Sequence, residues 1–79
     1  MKNAPVAVSL DELRRVLELT DRLGVHREQV VIPLAKGEGS VRRGADGRFQ
    51  IIVDRGSDFE LVLLEIERAL RQQLGLEDD

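Results

Sequence analysis

The stretch SDFELVLLEIERALRQQLG, Ser57 to Gly75, most constrains how this chain can fold. Wound at ~100° per residue, it gathers Phe59, Val62, Leu63, Ile66, Ala69, Leu70 and Leu74 into one stripe about 140° wide. A stripe of that width is a helix face that has to be buried. Ser57 and Glu60 have capping-box spacing at its start, and Gly75 with Leu76 suits a Schellman ending. Glu60, Glu67 and Arg71 flank the stripe on one side, Glu65 and Gln72 on the other. Leu61, Leu64 and Arg68 are left on the back, where a single packed layer has no need of leucine.

The cover for that stripe has to come from a 79-residue chain, which is one domain at most (residues 1–79). A second helix is written near the start. Ser9 and Glu12 form an S-x-x-E capping box, with Val8 and Leu13 at the positions of a hydrophobic staple. Leu10, Leu13, Val16, Leu17, Thr20 and Leu23 recur at helical spacing, and Gly24 ends the run. The reading is a helix over residues 10–23.

Between the helices the pattern changes to strands. Val30, Val31 and Ile32 are β-branched, and Pro33 moves that segment toward a sheet edge because proline cannot donate to a ladder. KGEG reads as a flexible turn, Ser40–Arg43 as a short strand and Asp46-Gly47 as a hairpin signal. Arg48–Asp54 is the best strand. Phe49, Ile51 and Val53 alternate with Gln50, Ile52 and Asp54, and the apolar Ile52 suggests a central strand or one covered on both faces. The expected architecture is α+β in the order α-β-β-β-α, with two helices on one face of a three-stranded antiparallel sheet. An extra strand at residues 5–8 is a weaker reading; residues 1–8 and 77–79 are otherwise expected to be flexible ends.

Composition narrows the chemistry. There is no cysteine, hence no disulfide and no thiolate metal site, and His26 is the only histidine. A zinc site within one chain would need His26 plus carboxylates, an uncommon set. His26 has no second histidine or cysteine with which to form a nucleophile–base pair, and Ser9 and Ser57 read as helix caps. Glu60, Glu65 and Glu67 look solvated. The expectation is a protein that is not an enzyme and carries no cofactor and no metal. No export signal or membrane-length apolar run is visible, so the chain reads as soluble and cytoplasmic.

Charge is uneven. Residues 36–55 hold five basic against three acidic groups, and residues 56–79 two against seven. Arg42, Arg43, Arg48 and Arg55, with Lys36, surround the predicted hairpin and form a candidate anion or nucleic-acid contact. Against it stand a net charge of −3 and only two aromatic residues for base stacking. KGEGSVRRGADG lacks the G-x-x-x-x-G-K-[ST] pattern of a phosphate loop, and a strand rather than a helix follows it.

GRFQIIVDRGSDFELVLLEIERAL resembles the strand-then-helix region of the ImmA/IrrE-type, zincin-like metallopeptidases. In that family the helix carries HExxH, two zinc-binding histidines one turn apart and a glutamate general base. Here Glu65 matches the base, while Leu64 and Arg68 stand at the two ligand positions. The resemblance therefore implies a zincin-like scaffold without zinc or hydrolysis. The favoured expectation is a non-catalytic interaction or regulatory module, homodimeric or bound to another protein through Leu61, Leu64 and Arg68. A nucleic-acid-associated protein using the arginine hairpin, or a degenerate zincin-like domain, is the alternative.

Overall fold

The computed structural model describes residues 6–56 and 58–76. The fold is α+β, with two helices and a three-stranded sheet. In chain order the elements are helix α1 (Leu10–Arg22), a 3-10 turn (Arg27–Gln29), strands β1 (Val30–Val31), β2 (Ser40–Arg43) and β3 (Phe49–Ile52), and helix α2 (Phe59–Leu74). The 3-10 turn was not among the expected elements.

The sheet corrects the antiparallel expectation. Its order is β1-β3-β2, with β1 parallel to β3 and β2 antiparallel to it. The β2–β3 hairpin is the expected one: Gly47 (φ 85°) follows a turn closed by Gly47 N–H to Gly44 O (3.0 Å), and Gly44 N–H donates to Arg48 O (2.7 Å). This is a type I turn with a left-handed fourth residue. β1 does not extend that meander. After Pro33 the chain continues beside β3, bridges Gly37 to Asp54 in parallel, and crosses the end of β3 to start β2 on its far side. The crossing is tight. A Cβ on Gly37 would lie 3.3 Å from Ile52 Cγ2, and one on Gly39 would lie 3.0 Å from Asp54 Cβ. KGEG is thus a close approach of two backbones rather than a loose turn. The crossing gives the most apolar strand a partner on each side, as the extra Ile52 suggested.

α1 starts with both halves of its capping box in place: Glu12 N–H donates to Ser9 Oγ (3.1 Å), and Ser9 N–H donates to Glu12 Oε1 (3.0 Å). Both helices end in Schellman motifs. Gly24 and Gly75 adopt φ of 82° and 74°, Val25 N–H reaches Thr20 O (2.9 Å), and Leu76 N–H reaches Arg71 O (2.8 Å). At the start of α2, Ser57 lies outside the described residues, and Asp58 is the cap, its carboxylate accepting from Glu60 N–H (3.2 Å).

One core joins both helices and the sheet. Val16 and Leu19 of α1, Phe49, Ile51 and Val53 along β3, and Val62, Ile66 and Leu70 of α2 are buried together with Val8 and Val25. Thr20 is fully buried, and its hydroxyl donates to Leu17 O (2.9 Å). Leu10, assigned to the core face by spacing, is instead 85% exposed, and Leu19, outside that assignment, is buried. Residues 6–8 are not loose: Val8 N–H donates to Leu34 O (2.7 Å), Lys36 N–H donates to Val6 O (2.8 Å), and Ala7 bridges Ala35. That lays a short antiparallel edge outside the β1 segment. Residues 1–5 and 77–79, the rest of the expected flexible ends, lie outside the described residues.

Candidate functional site: the outer ridge of α2

Leu61, Leu64 and Arg68 follow one another at i, i+3 and i+7, so they line one ridge of α2. With Val62, Ile66 and Leu70 turned into the core, that ridge faces outward. Leu61 is 55% exposed and Leu64 59%, and Arg68 is exposed. α1 does not cover them. A cleft of about 530 Å3 lies between the two helices, lined by Arg15, Glu18, Leu19 and Arg22 from α1 and Glu60, Leu63, Leu64 and Glu67 from α2. Leu64 sits on its wall, and Leu61 lies outside its lining. One clasp pins the helices: Arg15 bonds Glu60 (2.8 Å) and lies over the Phe59 ring, 5.4 Å from its centroid.

The ridge has an ordered charge pattern. Glu60 and Glu65 lie in the first half of α2, Glu67 just past its midpoint, and Arg68 and Arg71 after it. Arg71 is held by Glu67 (3.0 Å) within the helix. Glu65 is exposed on the neighbouring turn. Among the described residues no group of three His, Cys, Asp or Glu side chains is placed to hold a metal ion. His26 is exposed at the start of the 3-10 turn, and its carbonyl accepts from Gln29 N–H (2.9 Å).

The basic hairpin is taken apart by the strand geometry. Arg42 pairs across from Gln50 and Arg43 from Phe49, so the two point to opposite faces of the sheet. Arg43 lies over the Phe49 ring, 4.4 Å from its centroid. Arg48 is near Asp46 (3.8 Å) in the turn. Arg55 follows the other end of β3, roughly 20 Å along the strand direction from Phe49. Lys36 is committed elsewhere, with its ammonium on Glu12 (3.0 Å) and its side chain only 13% exposed. Arg42, Arg43, Arg48 and Arg55 do not share one face, which spacing along the chain could not reveal.

The cleft residues Arg15, Arg22, Leu63 and Glu67 were not legible as a group, because they come together only when α1 is laid beside α2. No helix among the described residues is long and apolar enough to cross a membrane. Set beside family models, characterised proteins and solved structures, the chain matches none of them.

Proposed function

We propose that this chain is a non-catalytic interaction module that binds through the outer ridge of α2, and that its partner there is a second copy of itself. The observation that carries the reading is the exposure of Leu61 and Leu64 side by side beside an open cleft. Either leucine alone would be unremarkable on a protein surface. The charge order supports the choice of partner. Two α2 helices crossing antiparallel at Leu64 set that leucine against its own copy and bring Arg68 of each toward Glu60 of the other. A parallel pairing stacks like against like. The non-catalytic part rests on the sequence: a single histidine, no cysteine, and serines that read as caps.

Sedimentation over a wide concentration range tests the proposal. A reversible dimer is expected, weakened by salt, and Leu64→Glu should leave a monomer with an unchanged circular dichroism spectrum. A strict monomer at high concentration would end the self-association reading. Because Leu64 is exposed on the single chain, Leu64→Glu should move the stability of the dissociated monomer by no more than about 0.5 kcal/mol, compared at concentrations where the parent is also monomeric.

A further inference from the structure

The outer edge of β2 offers a second surface, apart from Leu61, Leu64 and Arg68. β2 is an outer strand of the sheet and, among the described residues, is paired only with β3. The carbonyl of Val41 accepts a hydrogen bond from the Gln73 side-chain amide (2.9 Å), so it points away from β3. In a strand the N–H and C=O of one residue point the same way, and every second residue repeats the direction. Val41 and Arg43 therefore both turn their backbone groups outward. Beside them, between β2 and α2, is a hollow of about 200 Å3 lined by the apolar Val41, Val62, Ile66 and Ala69 and by Asp54 and Glu65, whose carboxylates favour an apolar over an acidic side chain inside it. The small Ala69 leaves the room.

We infer that this edge and hollow bind an extended peptide segment that adds as a fourth strand beside β2, carrying an apolar side chain opposite Val41 and an acidic one opposite Arg42. Main-chain bonds to Val41 and Arg43 supply the pairing, and the alternating side chains supply the choice. The residue opposite Val41 points toward α2 and enters the hollow. Its neighbour points to the other face, beside Arg42, which is exposed and has no carboxylate within ion-pair distance among the described residues. Opposite charges across a strand pair are favourable and like charges are not. The same rule disfavours a second copy's β2 in parallel register, which would set Arg42 beside Arg42. Gln73 holds the place of the incoming N–H and swings away when the strand arrives.

The test is an amide NMR titration of the whole chain with a capped peptide of alternating valine and glutamate. The Val41 and Arg43 amides and the Gln73 side-chain amide should shift saturably. Methylating the peptide nitrogens that face β2 should weaken binding by about tenfold or more, the equivalent of one lost hydrogen bond. Ala69→Leu should fill the hollow and reduce binding. Arg42→Glu, on an exposed strand position, should weaken binding of the valine–glutamate peptide and admit its valine–lysine counterpart. Leu64→Glu should leave the titration unchanged, which keeps this site separate from the dimer surface. The inference is overturned if those amides stay still, or if the valine–lysine or methylated peptides bind the unaltered chain equally well. It also fails if raising protein concentration alone moves the same signals, which would place a second copy on the edge. It fails too if removing residues 77–79 moves them without peptide, which would place the chain's own acidic end there.

Discussion

Glu12 makes three connections at once. One carboxylate oxygen accepts from Ser9 N–H, the other from Lys36 Nζ (3.0 Å), and its own N–H donates to the Ser9 hydroxyl. The hydrogen bond from the Ser9 backbone, with Lys36 adding to it against a smaller opposing effect of burial, holds the carboxyl below its ordinary value of 4.5. A depressed folded value means the carboxylate stabilises the fold above pH ~4.5, and that this contribution disappears as pH falls through the folded value. Glutamine can still close the capping box but cannot pair with Lys36 as a charge. Glu12→Gln should therefore cost about 1 kcal/mol at pH 7 in urea unfolding. The difference should shrink toward zero as pH falls below 4.5 and through the depressed folded value. A pH-independent difference would mean that Glu12 acts by shape alone. The capping box itself was legible from four consecutive residues, because both its partners lie within one turn. The Lys36 bond joins residues 24 positions apart and needed the fold.

At the scale of elements, α1 was readable end to end and α2 at its C-terminal end, where the cap at its start proved to be Asp58, while the sheet was not. A helix closes its hydrogen bonds locally, so Ser9, Gly24 and Gly75 mark its ends without outside help. Spacing fixes that a stripe exists but not where its centre points, which is why Leu10 falls outside the core and Leu19 inside. Strand partners are a matter of long-range choice. The crossing at Gly37–Gly39 makes that choice here, since it carries the chain over the end of β3 and puts β1 and β2 on opposite sides. Gly39→Ala should force its Cβ against Asp54 and destabilise the protein by about 1–2 kcal/mol, read from the urea midpoint. Glu38→Ala, at the exposed residue between the two glycines, should be nearly neutral. Equal effects at the two positions would show that the glycines are not spacing the strands.

The whole molecule has one thin core. Total stability for this length is on the order of 4–12 kcal/mol. Ile51 is fully buried at the centre of β3, and truncating it to alanine should remove about 3–4 kcal/mol. Loss on that scale is a large part of the total. Ile51→Ala is expected to unfold in one cooperative transition at much lower denaturant than the parent, with circular dichroism and a core probe coinciding. Separate transitions for helix and sheet would contradict the single core. The outward ridge of α2 and the edge of β2 lie outside this core, so both can be altered without spending the same stability.

By itself the sequence determined two capped amphipathic helices, a glycine-closed hairpin, a central strand with apolar residues on both faces, and a leucine pair that helix packing leaves over. Each of these follows from interactions within a few residues or from a fixed period along the chain. Tertiary structure alone decided that β1 runs parallel to β3, that four arginines near one hairpin are dispersed over faces and ends, and that Gln73 meets Val41 beside an open hollow. These depend on which side of β3 the chain passes and how α2 lies along β2. Such choices are set by the packing of distant residues, for which no local pattern in the chain is a substitute.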